Sequence, residues 1–350
     1  MKKSPLLLLI HIFFFCQQAF SQNPSTELPV SSNAILDSII QIAKNNAYHS
    51  GQVDWPSLSQ EMFAISTEQD SINKIGKPVE HMFETLGDYH GMLIYDYKAG
   101  FSYRPEGVGI PKDSIYKEIG RTKINLPYTV VGKLIQNNIA YIEILGTGVM
   151  QPPQIEAARE TLRSVICDLK AQQPDGWILD LRCHIGGNMH PMMAGIGELI
   201  PNADLGGDTK DGVSYNTTWS LENGNFQENG YANYSAALQC PNDINEKRIA
   251  VLTSRYTASA GEVVVSSLKA QKEVKIIGEQ TGGLSSSNGW FVLPEKWILA
   301  PMVGYYMSID KTVHKNGVIP DFEIIEPLDL NDLTSGKQID RAIKWIKSGK

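Results

Sequence analysis

Residues 139–280 alternate strand-like and helix-like segments, which predicts an α/β fold of βαβ units around a largely parallel sheet. Two observations carry this. Short aliphatic runs recur at IAYIEI (139–144), WILDLR (177–182), IAVLT (249–253) and VKIIGE (274–279). Between them, apolar residues repeat at helical spacing: Ile155, Ala158, Leu162, Val165 and Leu169, then PMMAGIGELI (191–200), then Val264, Val265 and Leu268. A third observation adds a small helical subdomain in front, over residues 33–91.

The elements follow in order. Lys2 and Lys3 precede LLLLIHIFFF, an apolar run too short to span a bilayer, and Ala19-Phe20-Ser21 offers a small-x-small cleavage site. Residues 1–21 therefore read as a secretory signal cut after Ser21, and 22–32 as a polar leader. Cys16 follows the bulky Phe15, which argues against a lipoprotein cleavage site. In 33–91, Ile35, Ile39 and Ile42, then Leu58, Met62 and Ile65, then Val79, Met82, Phe83 and Leu86 mark helices, with turns at Gly51, Asp54-Trp55-Pro56 and Gly76. From 92 the pattern turns to strands: MLIYDY, PYTVVGKLI, IAYIEI. The polar stretch 201–247, rich in Asn, Gly and aromatics, reads as a flap or hairpin. GWFVLP and KWILAPMVGYYMS are strands again, which places an α/β core over 92–330. A closing helix within 331–350 carries Ile339, Ala342, Ile343 and Ile346.

Composition narrows the function. At 350 residues, 42% hydrophobic and 20% charged, the chain is an ordinary globular protein. A net charge of −7 with no run of five basic residues excludes an electrostatic nucleic-acid binder. No later stretch is apolar enough to span a membrane, so the mature protein is expected to be exported, periplasmic or secreted. Cys167, Cys183 and Cys240 remain after the leader, an odd set at unrelated spacings. A disulfide framework is not expected, although one pair could form in an oxidising compartment, and Cys167 reads as a partly buried thiol on a helix.

Three segments suit one chemistry. IAVLTSRYTASAGE (249–262) is a strand breaking into a small-residue turn at Ser259, followed by a helix. A serine there projects its hydroxyl at the positive end of the helix, where a nucleophile is exposed and an oxyanion stabilised; the plain alternative is an N-cap. Asp180-Leu181-Arg182-Cys183-His184-Ile185-Gly186-Gly187 runs a strand into paired glycines, whose amides can face a cavity unobstructed. Leu86-Gly87-Asp88-Tyr89-His90-Gly91 places a histidine in a turn, and a near-neutral imidazole can deprotonate a serine. Asp180 and Arg182 read as a structural ion pair, and Glu262 as helix-start electrostatics. Cys183, His184 and His190 fit no standard zinc spacing.

With DLRxxxGG at 180–187, TASAGE at 257–262, GEQTGG at 278–283 and NGVIPD at 316–321, the chain resembles the carboxy-terminal processing (tail-specific) proteases. Their relatives include the tricorn core protease and the interphotoreceptor retinoid-binding protein. The resemblance covers about residues 33–330. It implies a Clp-protease/crotonase-like core, a Ser259 nucleophile, and an oxyanion hole from the amides of Gly186, Gly187 and Ala260. The processing proteases take their base from a lysine in T-x-G-K-G; here Leu284 stands at that place, and Asn288 replaces the glutamine that follows. The tricorn-like branch uses an upstream histidine, to which His90 corresponds, with Tyr89 where that branch has a bridging serine. Its glutamate before GVxPD is missing, and His314 stands nearby. Asp321, Asp310 and Asp88 are the candidates to orient the base. Too few residues separate His90 from Ile139 for a typical PDZ module.

The expectation is an exported serine peptidase acting on a peptide or protein, with no metal or cofactor and an open oligomeric state. Two alternatives stand beside it: a non-catalytic binding protein on the same scaffold, and an α/β-hydrolase using Ser259 with His314.

Overall fold

A strand buried on both faces needs apolar side chains at every position, and three of the aliphatic runs are built that way. In this computed structural model, which describes residues 31–123, 128, 130–240 and 247–350, β4 (Ile139–Glu143), β5 (Gly176–Asp180) and β10 (Ile249–Thr253) are buried throughout. The expected signal, and all but the last two residues of the leader, lie outside the described residues.

The helical start is α1 (Ser32–Asn46), α2 (Trp55–Thr67) and α3 (Asn73–Leu86). Next come β1 (Met92–Tyr95), β2 (Lys98–Phe101), α4 (Ser114–Thr122) and β3 (Val131–Ile135). β4 leads to α5 (Pro152–Lys170), β5 and α6 (Met189–Ile196), then to β6 (Ala203–Thr209), β7 (Thr217–Glu222), β8 (Asn225–Glu228) and β9 (Tyr231–Ala232). After β10 follow α7 (Ala260–Leu268), β11 (Val274–Gly278), β12 (Ser286–Asn288), β13 (Phe291–Val292), β14 (Trp297–Ala300), β15 (Met302–Met307), β16 (Val313–His314), β17 (Phe322–Glu323) and α8 (Lys337–Ser348).

The central sheet runs β17-β11-β10-β5-β4-β3, with all neighbours parallel except β3. This is the parallel sheet expected from the alternation of runs. Successive residues of one strand serve opposite cores: Ile249 and Val251 join α5, α6 and α7, while Ala250 and Leu252 join α4 and α8. The helix after Ser259 stops at Leu268, where Lys269 is extended.

A second sheet, β12-β15-β6-β7-β8-β9 with β16 on β15, packs against α7 and completes the first core with Trp219, Phe226 and Tyr306. The stretch expected to be a flap is thus mostly sheet. β7 and β8 do form a hairpin, turned by Asn223-Gly224 with φ of 49° and 74°, the pairing a type I′ turn requires. But β6 lies inside the sheet between β15 and β7. Its sequence, ADLGGDT, is too polar to announce a buried strand. α4 was also silent in the sequence: Asp113 caps it, accepting from Tyr116 N at 3.0 Å, yet Ile119 is its one buried residue.

The third sheet, β13-β14-β1-β2, shares a core with α1–α3: Leu36, Met62, Phe83, Leu93, Trp297 and Leu299 are buried together. The first helices therefore lean on strands from the far end of the chain.

One expectation is corrected. Cys167 is not a free thiol: it is disulfide-bonded to Cys240 across 73 residues, with Cα atoms 5.6 Å apart. The bond ties the return of the 201–240 segment to α5. Beside it the fully buried Arg163 donates to Gly224 O (2.7 Å), Ala237 O (2.9 Å) and Ala194 O (3.1 Å). Cys183 is free and buried.

Candidate active site

Ser259 stands between β10 and α7 with φ 53° and ψ −119°. A non-glycine residue in this region costs roughly 1–3 kcal/mol and persists only where its surroundings over-determine it. Here they do. Thr257 Oγ1 donates to Leu181 O (2.8 Å), Ser254 Oγ to Arg182 O (2.6 Å), and Ala258 N to His184 O (2.9 Å). The turn is thereby stitched to the segment leaving β5. From the other side, Glu262 Oε2 accepts from Ser259 N at 2.9 Å.

Glu262 is fully buried, and its second oxygen accepts from Thr281 Oγ1 (2.6 Å), Ser285 Oγ (2.8 Å) and Gly283 N (2.9 Å). Burial pushes its pKa up and these donors pull it down. More than helix-start electrostatics, it couples the serine turn to the GEQTGG loop and the strand after it.

His90 closes the site. α3 ends at Gly87 (φ 64°), and Asp88 turns the chain: Oδ1 accepts from Gly91 N (2.5 Å) and His90 N (3.1 Å), Oδ2 from Met302 N (2.8 Å). Asn288 Nδ2 donates to His90 O at 3.0 Å. The ring is held between two serines. Nε2 is 3.0 Å from Ser259 Oγ, and Nδ1 is 2.8 Å from Ser286 Oγ on β12. Burial lowers the imidazole pKa to about 3, with the charge of Arg104 acting in the same direction. The ring is therefore neutral throughout the physiological range.

None of the three carboxylates expected near the ring makes that contact. Asp88 braces the backbone, Asp321 accepts from Ile276 N (2.8 Å) and Lys269 Nζ (3.2 Å), and Asp310 is an exposed turn residue accepting from Thr312 N (3.0 Å). Ser286 occupies the place, and nothing in GGLSSSN marks which of three adjacent serines would face the histidine. His314 is likewise elsewhere, 2.7 Å from Ser308 Oγ in a buried pair.

The glycine pair lies against Ser259. Gly186 and Gly187 have φ of 121° and 126°; a Cβ on Gly187 would stand 2.2 Å from Thr147 O, and one on Gly186 3.1 Å from Ser259 Cβ. Ala260, first residue of α7, has an amide that helix geometry leaves without an intrahelical acceptor. Gly186 N–H donates at 3.3 Å to Nδ1 of His184, a ring buried under this loop. Asp180 and Arg182 form a buried ion pair (2.5 Å), with Tyr141 Oη donating to Asp180 Oδ2 (2.7 Å). Cys183, His184 and His190 do not converge: His184 Nε2 meets Met192 Sδ, and His190 faces Glu228 at 3.6 Å. Among the described residues the metal-type cluster is Cys167, Glu198 and Cys240, two of which are joined in the disulfide.

A serine on a strained turn, a neutral imidazole at its oxygen and glycine amides alongside are the parts of acyl-transfer chemistry. The family model that matches residues 138–324 is Peptidase family S41. The chain belongs to that family. Its relatives include the nisin-resistance protein of Lactococcus lactis subsp. lactis, 28% identical over 174 residues, half of each chain. The carboxyl-terminal-processing protease of Synechocystis is 27% identical over 161 residues, 46% of this chain and 33% of that one. The matches thus span half or less of these relatives' own length. A lipoprotein of Streptococcus agalactiae shares the fold, with a TM-score of 0.66 at 20% identity, covering 93% of this chain and 99% of that one. In this S41 chain the lysine position is Leu284, 2% exposed and packed in the core with Ile110. Among the described residues no helix is long and apolar enough to cross a membrane.

Proposed function

We propose that this S41 chain is an exported serine peptidase in which Ser259 is the nucleophile and His90 the general base. The observation that carries the reading is the 3.0 Å approach of His90 Nε2 to an Oγ displayed on a strained turn. With Nε2 bare, Nδ1–H donates to Ser286 Oγ, which fixes the ring and the tautomer. Ser259 Oγ loses its proton to Nε2 and attacks a peptide carbonyl. The amides of Gly187 and Ala260 receive the oxyanion, and that of Gly186 joins them, since an anionic oxygen is a stronger acceptor than the imidazole it now meets. The imidazolium then protonates the leaving amine, and water releases the acyl group by the same steps. Ser286 supplies a dipole where many triads supply a carboxylate, so it orients the ring without neutralising its charge.

The Cys167–Cys240 bond supports export, because such bonds persist in oxidising compartments. One relative is a nisin-resistance protein, which makes nisin a first substrate to assay.

A fluorophosphonate probe tests the reading. The protein should label, and Ser259→Ala and His90→Ala should not. Absence of labelling in the unsubstituted protein would leave the binding-protein alternative.

A further inference from the structure

A neutral imidazole has one nitrogen that carries a hydrogen and one that accepts, so its two neighbours fix its tautomer. For His184 the neighbours agree. Gly186 N–H donates to Nδ1 at 3.3 Å, and Nε2 lies against Met192 Sδ, a sulfur that can only accept. Nδ1 is therefore the bare nitrogen. Burial lowers the pKa of this ring to about 4, so Nδ1 stays an acceptor at neutral pH.

The ring is fixed in place. It is fully buried, and it fills the space beside Gly261 in the first turn of α7, where a Cβ would stand 2.6 Å from Nδ1. Its backbone is tied on both sides: His184 N donates to Leu181 O (3.0 Å), and His184 O accepts from Ala258 N (2.9 Å). Gly186 is freer. A Cβ on it would lie 3.7 Å from Ser259 Oγ, so the residue borders the serine oxygen, yet its N–H is directed under the loop to His184. With φ of 121° and no side chain, the peptide ahead of Gly186 can turn. The chain just beyond is held, Asn188 donating through N to Thr147 O (2.7 Å) and through Nδ2 to Val149 O (3.0 Å).

We propose that His184 is a positioning residue that withholds one donor from the oxyanion hole: Nδ1 keeps the Gly186 amide under the loop until negative charge develops beside Ser259, and the amide then turns to that charge. This rests on the peptidase reading above. The carbonyl of a bound peptide is a neutral acceptor, as the imidazole is, and draws the amide no better. An oxyanion accepts about twice as strongly. The Gly186 donor thus acts only as charge forms, which favours the transition state without tightening ground-state binding. Its effect is reduced by the strength of the bond to His184 that must first break.

The rate of Ser259 acylation by a fluorophosphonate probe reads the hole, because charge builds on the phosphoryl oxygen as the serine adds. His184→Phe fills similar space without an acceptor and should acylate about three- to tenfold faster, the worth of one neutral hydrogen bond. His184→Asn puts an acceptor oxygen back and should return the rate toward that of the unsubstituted protein. A purely structural histidine would give slower acylation in both variants. A folded His184→Phe protein that acylates no faster overturns the proposal.

The unsubstituted protein decides the matter if His184→Phe does not fold. With nitrogen-15-labelled histidine, the His184 resonances are those that vanish in His184→Asn. When the probe has modified Ser259 and its phosphonyl oxygen has taken the Gly186 amide, Nδ1 loses its donor and its resonance should move downfield. An Nδ1 resonance that stays in place on modification overturns the proposal. Failure of the peptidase reading shows differently, as no labelling of Ser259 in any of the three proteins, and it removes the proposal with it.

Discussion

His90 and Ser286 face each other across 2.8 Å although 196 residues separate them in the chain. The contact holds Nδ1 and leaves Nε2 aimed at Ser259. Ser286→Ala should therefore slow fluorophosphonate acylation about 10- to 100-fold, no more than the lower bound of the roughly 10²–10⁴ that general-base catalysis supplies, because the base itself remains. The melting temperature should stay within a few degrees. A variant that acylates at the original rate would remove Ser286 from the mechanism.

The pH profile of acylation should be unusual for a histidine base. An imidazole with an ordinary pKa of 6.5 loses about thirtyfold in unprotonated fraction by pH 5. With the His90 pKa lowered to about 3, the labelling rate should change less than twofold between pH 7 and pH 5, with circular dichroism confirming the fold at each pH. A thirtyfold fall would mean the base is not this buried ring.

The same burial makes the fold acid-sensitive. His184 is fully buried and its pKa is lowered to about 4. Below pH 6.5 the unfolded chain binds a proton there that the folded chain does not. Its stabilisation is thus complete above 6.5 and lost as pH falls toward 4, on the order of 3 kcal/mol in all. Replacing His184 with Asn should flatten the dependence of unfolding free energy on pH between 6.5 and 4 by about that amount, measured by urea titration. Parallel curves for the two proteins would refute it.

The disulfide gives a chemical count. In protein lacking residues 1–21, denatured without reductant, only Cys183 should titrate as a thiol; reduction should expose all three cysteines. Removing the bond by paired Cys→Ala changes should cost about 2–4 kcal/mol, read from urea midpoints.

What the residues disclosed depended on how local the determining interaction is. The central strands were legible because burial on both faces demands unbroken aliphatic runs, as in IAVLT. Ser259 was legible because a strand, a small-residue turn and a helix follow one another directly. Ser286 was not: its role depends on β12 pairing Ser286 with Tyr305, which directs that serine rather than Ser285 or Ser287 toward the ring. Asp88, expected among the candidates to orient the imidazole, spends both oxygens on backbone amides instead: Oδ1 caps its own turn, a local preference of Asp, and Oδ2 accepts from Met302 N. The Cys167–Cys240 pairing depends on where the 201–240 segment returns, which neither flank encodes alone.

β1 lies between β2 and β14, and His90 is held by Ser286, Asn288 and, through Asp88, the amide of Met302. Every clamp that crosses to this histidine thus comes from chain made long after it. A nascent polypeptide that already carries its imidazole has nothing to aim it until the region around 286–302 has emerged and docked. Fragments ending at residue 285 should accordingly be inert to the probe. The aimed imidazole, and with it any reaction that His90 supports at Ser259, is thus expected only near the end of synthesis.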